Sequence, residues 1–170
     1  MSAVGIRPAT PADVDAIARF HVAVWRETYR DIAPKAAWKA LGVERRRPSW
    51  ARFLGESDGF GGALLAEDDG RITGLASFAR PSHPAFDGMA EITHLYVDAS
   101  RRGEGLGRRL LEAALEKAAA AGFPGAGLAV VRENRAARDF YQALGGVETG
   151  VFTDPGPLWR SDNIVVAWTL

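Results

Sequence analysis

The sequence contains no cysteine. That excludes a disulfide framework, a thiolate zinc site and a thiol nucleophile, and it is compatible with a reducing compartment. Neither sign of charge is in excess, since 21 Lys and Arg stand against 21 Asp and Glu. No global field then draws in nucleic acid or an anionic membrane, and any anion site has to be local. Long apolar runs are absent as well, none reaching the ~20 residues of a membrane span. The start, Met1-Ser2-Ala3-Val4-Gly5-Ile6-Arg7, lacks the apolar stretch of a secretory signal. There is no internal repeat and no long low-complexity tract. The expectation is a soluble cytoplasmic protein without nucleic-acid or membrane partners. Its 170 residues fit one domain over 1–170, and a chain of that size buries roughly 70% of its unfolded surface without staples.

What is present is a mixed order of helical and extended segments. Residues 6–9 read as a short strand. Thr10 offers a helix cap, Pro11 suits the first helical position, and Asp13 stands where a capping acid helps. Val14, Ile17, Ala18, His21, Val24, Trp25 and Thr28 then recur at helical spacing. Short helices are expected over 35–41 and 48–54, the latter opened by Pro48. Glycines over 55–61 predict a loop. Strands follow over 63–67 and 71–80, joined by the turn signal Asp68-Asp69-Gly70. A proline-containing loop over 81–88 leads to a strand over 89–97. A polar connection then opens a helix over 106–121, with Leu110, Leu111, Ala114, Leu115 and Ala118 on its buried side and Gly122 as its cap. A strand over 127–131, a helix from Asn134 to Leu144, and strands over 147–152 and 164–170 complete the chain. The fold class is α/β, closer to α+β, and not a regular doubly wound alternation.

The segment that carries chemistry is Arg101-Arg102-Gly103-Glu104-Gly105-Leu106-Gly107-Arg108. A strand ends, three glycines alternate and a long helix begins. Glycine lets backbone approach a ligand closely, and amides converging at a helix N-terminus favour a phosphate or pyrophosphate. Arg101, Arg102, Arg108 and Arg109 add local positive charge; the plainer alternative is a solvated basic turn. It is not a Walker loop, because Arg108-Arg109 stands where Lys and Ser or Thr are needed. Nor is it the dinucleotide fingerprint, because the spacing is G-x-G-x-G.

Arg102-Gly103-Glu104-Gly105-Leu106-Gly107 matches the R/Q-x-x-G-x-G/A signature of the GNAT acetyltransferases. Leu95-Tyr96-Val97 resembles that family's acetyl-CoA-binding strand, and Asn134-Arg135-Ala136-Ala137-Arg138-Asp139-Phe140-Tyr141 its N-x-x-A-x-x-F-Y helix. The resemblance is strong over 63–150 and weaker at Arg7-Pro8-Ala9 and the last strand. It implies a GNAT fold, with a mixed, mostly antiparallel central sheet flanked by helices, and acetyl-CoA as cosubstrate with no metal.

The resemblance also implies roles for single residues. Arg102, Gly103, Glu104, Gly105, Leu106, Gly107 and Arg108 would hold the pyrophosphate. Leu95, Tyr96 and Val97 would present backbone to the pantetheine arm and polarise the thioester carbonyl. Asn134 would contact the pantetheine or simply cap its helix. Tyr141 would protonate the departing thiolate, or else be an aromatic core residue. Glu91 would act as general base or as a structural carboxylate, with His94 able to share the task. The acceptor pocket would be walled by the 81–88 loop and by the stretch from His21 to Pro34, where Trp25, Glu27 and Tyr29 would bind an apolar, cationic amine, unless Trp25 is core and Glu27 solvated. Where relatives carry Gly-Phe, Gly145-Gly146-Val147 implies looser packing.

The expected reaction is direct attack of a primary amine, on a small molecule or a peptide, within a ternary complex. Two alternatives stand beside it: a non-catalytic acyl-CoA-binding module and a protein N-terminal or lysine acetyltransferase. High apolar content, with five tryptophans, and the habit of the family also suggest a homodimer.

Overall fold

Thr10-Pro11-Ala12-Asp13 opens the first helix as its residue types require. The structure, a computed structural model, describes residues 4–56 and 59–170; the expected loop over 55–61 lies partly outside them. The Asp13 carboxylate turns back to accept from the Thr10 amide at 2.8 Å. Arg7 donates to both Asp13 oxygens, at 3.0 and 2.9 Å, and to Glu67 at 2.9 Å. The first strand and first helix are thereby tied together.

The elements run β1 (Gly5–Pro8), α1 (Val14–Thr28), α2 (Lys35–Ala40), α3 (Val43–Gly55), β2 (Gly61–Asp68), β3 (Arg71–Ala79), β4 (Ala90–Val97), α4 (Leu106–Ala120), β5 (Gly125–Val131), α5 (Arg135–Ala143), β6 (Val147–Asp154) and β7 (Ser161–Thr169). The strands form one sheet in the order β1-β2-β3-β4-β5-β7-β6. All pairings are antiparallel except β4 with β5. The expected mixed, mostly antiparallel sheet is therefore present.

Period-two alternation distributes side chains to two cores. From β2, Ala63 and Leu65 face α1 and α3, where they meet Ile17, Ala18 and Trp50. Leu64 and Ala66 face the other way, onto Leu106, Leu110, Leu111 and Ala114 of α4. Leu115, expected in that core, is only partly buried, while Val22 of α1, not among the expected face residues, is buried.

Two local expectations are corrected. α3 begins at Val43, and Pro48 lies inside it. A proline removes one backbone donor from a helix, but Trp50, 3% exposed, anchors this segment on the sheet, and that packing outweighs the lost bond. Packing after α5 is tight rather than loose. The Gly146 amide donates to the Tyr141 carbonyl at 2.9 Å, and a methyl there would stand 2.5 Å from Val166 and 2.8 Å from Trp168. Trp25, Trp50 and Trp168 are buried within the chain. Among the described residues no helix is long and apolar enough to cross a membrane.

Candidate active site

β4 and β5 pair only at Ala90 with Ala126 and Glu91 with Gly127, and then part. A bulge prepares the separation. Ser77 opposes His94 while Phe78 opposes Ile92, so Thr93 is the extra residue. Ile92, Leu95 and Val97 consequently all pack toward the α4 core, while Tyr96 joins the α1 and α3 side. The parted edges leave backbone groups of residues 92–97 and 128–131 beside a cleft of about 1010 Å³. An unpaired strand edge accepts an extended partner by main-chain hydrogen bonds.

At one end of the cleft the glycine loop meets α4. Gly103 and Gly105 have φ of 81° and 78°, and side-chain positions built on them meet nothing within 4 Å. The backbone there is both strained for other residues and open to a ligand. Gly105 caps α4, whose first amides have no intrahelical acceptor. Gly107 does something different, since a methyl there would stand 3.0 Å from the Phe140 ring. The four arginines also divide. Arg101 pairs with Asp68 and lies 3.4 Å from Glu104, and Arg109 donates to the Val4 carbonyl at 3.0 Å. Arg101, Arg102 and Arg108 line the cleft, Arg101 with its charge already paired and Arg102 3.4 Å from Glu27 across it.

The other motif residues arrive from α5. Asn134 Oδ1 accepts from the Ala137 amide at 3.3 Å, as a helix cap does, and the residue also lines the cleft. Tyr141 is buried at 8% exposure, edge-on to Trp168. The chain has three tyrosines, and all three, Tyr29, Tyr96 and Tyr141, line this cleft. Desolvation raises the pKa of each phenol; for Tyr96 and Tyr141 the neighbouring Tyr29 adds to it. All three remain protonated donors at neutral pH.

The opposite wall is aromatic. Trp25 and Tyr29 pack on Trp159, with ring centroids at 5.5 and 5.6 Å. Trp25 is thus both buried and a wall residue. Leu158 and Trp159 come from the loop between β6 and β7, which displaces the expected 81–88 loop from this role. That loop packs elsewhere: His83 stacks on Phe152 at 4.3 Å. Glu91 belongs with it, its carboxylate accepting from the Ser82 amide at 2.7 Å, and it is not a lining residue of the cleft. His94 does line it, with Nδ1 2.8 Å from the Ser77 hydroxyl. His21 packs beside His94 with ring centroids 4.8 Å apart. Desolvation takes His21 down to about 2 and His94 down to about 3, so both are neutral. Sequence reasoning missed Arg46, Leu158 and Trp159 as wall residues, which carried no local signal; His21 belongs to the 21–34 stretch expected to wall the acceptor pocket, and it does line the cleft.

Residues 22–146 match the family model described as Acetyltransferase (GNAT) family. The chain belongs to that family. Among curated GNAT relatives, the N-acetyltransferase YuaI of Bacillus subtilis (strain 168) is 32% identical over 82% of this chain and 78% of its own. The L-amino acid N-acyltransferase MnaT of Escherichia coli (strain K12) is 30% identical over 90% and 85%. A GNAT structure similar to this one is the acetyltransferase yncA of Salmonella typhimurium with its cofactor acetyl-CoA. It is 25% identical, covers 99% of this chain and 95% of that one, and superposes with a TM-score of 0.71.

Proposed function

We propose that this GNAT protein moves the acetyl group of acetyl-CoA to the primary amine of a small molecule, by direct attack with both substrates bound. One observation carries the reading: the parted β4 edge, the glycine loop at the start of α4 and the Tyr141 phenol all open on the same cleft.

The residues present fit the donor. Gly103 and Gly105 leave open space above a left-handed backbone, and amides of residues 103–108 together with Arg102 and Arg108 supply donors and charge for a pyrophosphate. Backbone groups of Leu95, Tyr96 and Val97 offer the edge for an extended amide-bearing arm. Asn134 lines the same cleft as well as capping α5. Acetyl-CoA supplies an activated thioester when bound.

Tyr141 keeps its proton at neutral pH, and its motif position and its place on the cleft support it as the donor of that proton to the leaving sulfur. Glu91 is held by Ser82 outside the cleft, which does not favour it as base. The desolvation that holds His94 neutral disfavours a bound ammonium equally. In this reading the amine enters as the free base and needs no strong protein base: its nitrogen bonds to the acetyl carbon as the carbon–sulfur bond breaks, Tyr141 protonates the sulfur, and the surplus proton on nitrogen restores the Tyr141 phenol. Catalysis then rests chiefly on positioning.

The test is a panel of amines with acetyl-CoA, reading release of the free CoA thiol. Release with a small amine supports the reading. Tight acetyl-CoA binding with no release for any small amine or peptide sinks it and favours a binding module; release with peptides alone favours a protein-modifying enzyme.

A further inference from the structure

One buried side-chain nitrogen or oxygen among the described residues has no hydrogen-bond partner: Nε of Arg46. Its neighbour in sequence, Arg47, pairs with Asp15 and Glu44, and Arg26 donates to the Leu41 carbonyl. Arg46 forms none of the ion pairs found among the described residues. It projects from the first turns of α3 onto the cleft, on the wall that holds His94 and Tyr96. Burial lowers its pKa, and its charge adds to the desolvation that keeps His21 and His94 neutral.

Nothing on the cleft wall answers this charge. Two carboxylates line the cleft, and both are engaged: Glu27 faces Arg102 at 3.4 Å, and Asp154 accepts from the Gly156 amide at 3.0 Å. The two histidines bring no second cation, and Arg45, the other arginine of α3 that lines the cleft, is exposed to solvent, so Arg46 is the desolvated guanidinium on this wall. A cation removed from water without an anion is costly, and a ligand that brings the anion converts that cost into affinity. The planar fork of a guanidinium matches a carboxylate bidentately. The Gly103–Gly107 loop has Arg102 and Arg108 beside it, so Arg46 is left to the acceptor side.

We propose that Arg46 binds a carboxylate on the acceptor, which makes the acceptor an amino-acid-like molecule bearing both amine and acid. This rests on the acetyl-transfer reading above and names its substrate class. Arg46 is then a specificity residue that touches substrate, not a group that moves a proton.

The experiment uses the full chain and matched sets of acceptors, such as L-leucine, L-leucinamide and 3-methylbutylamine, with further sets differing in side chain. Rates are expressed per unprotonated amine. The wild-type chain should prefer the amino acid over its amide by about 10- to 100-fold in kcat/KM, the worth of hydrogen bonds to a charged group. Arg46→Met should raise KM for the amino acid by that factor, abolish the preference for the amino acid over its amide, and leave the KM for acetyl-CoA unchanged. Arg46→Lys should recover part of the loss. Equal use of amino acid and amide by the wild-type chain overturns the proposal, and so does loss of acetyl-CoA affinity in Arg46→Met. If that variant does not fold, the wild-type preference decides alone. If no amine is turned over, the acetyl-transfer reading fails separately. Calorimetry of amino acid against amide then decides, with saturable binding of the amino acid alone supporting a carboxylate site and equal or absent binding refuting it.

Discussion

The Trp50 indole N–H donates to Nδ1 of His21 at 3.0 Å, with both rings buried. Nδ1 is therefore an acceptor, and the proton of the neutral ring sits on Nε2. Trp50→Phe keeps an aromatic ring but leaves that buried acceptor unpaired. The expected cost is about 1–3 kcal/mol for the lost partner, with a further loss from the smaller ring, read as a lower urea midpoint at neutral pH. Affinity for acetyl-CoA should change little. An unchanged midpoint means that water takes the place of the indole.

The buried histidines make stability depend on pH. His21 is held down to about 2 and His94 to about 3, against an ordinary 6.5. Below about pH 6.5 the unfolded chain binds protons that the folded chain refuses. Their contribution is therefore intact above that pH and falls progressively as pH drops toward 3. Each histidine adds at most about 1.4 kcal/mol per pH unit to the slope. Urea unfolding between about pH 7.5 and 5 should reveal it, and His94→Gln should make the slope shallower. A slope the variant leaves unchanged shows that His94 is charged in the fold.

Tyr141→Phe keeps the ring, its contact with Trp168 and the helix, and removes the hydroxyl. Turnover should fall, by on the order of 10²–10⁴ if the phenol is the main acid, while acetyl-CoA affinity and melting temperature stay close to wild type. Tyr29 and Tyr96 line the same cleft, so their Phe variants are the controls. Wild-type turnover in Tyr141→Phe, measured where chemistry limits the rate, moves the acid role to one of them or to solvent.

Gly105→Asp sets a side chain and a negative charge where the left-handed loop meets α4. Nothing in the protein lies within 4 Å of a methyl there, so the folding cost should be confined to the backbone, about 1–2 kcal/mol. Calorimetry should show a large loss of acetyl-CoA affinity. Retained affinity in a folded variant places the pyrophosphate elsewhere.

Glu91→Gln preserves an oxygen that can accept from Ser82 but cannot act as base. It should leave kcat, and the rise of rate with pH, unchanged. A drop of two orders of magnitude, with a carboxylate-range inflection lost from the pH profile, would restore Glu91 as the base.

The amino-acid sequence by itself determined what is written in short-range terms. Asp69-Gly70 closes a hairpin with φ of 49° and 77° because few other pairs tolerate that turn. The glycine alternation at 103–107, the Asn134 cap and Tyr141 on its helix could be placed because each depends on neighbours a few positions away. Tertiary structure decided the rest. Pro48 is helical because Trp50 is buried against the sheet, a contact invisible to local propensity. Glu91 stood on the expected strand, but which way a strand residue faces depends on the pleat and on the bulge at Thr93, and Ser82 then claimed its carboxylate. One wall of the cleft is assembled from residues 21, 29, 46, 94 and 159. No spacing in the chain announces such a group, because its members share an environment only after the helices have packed on the sheet and desolvated them together.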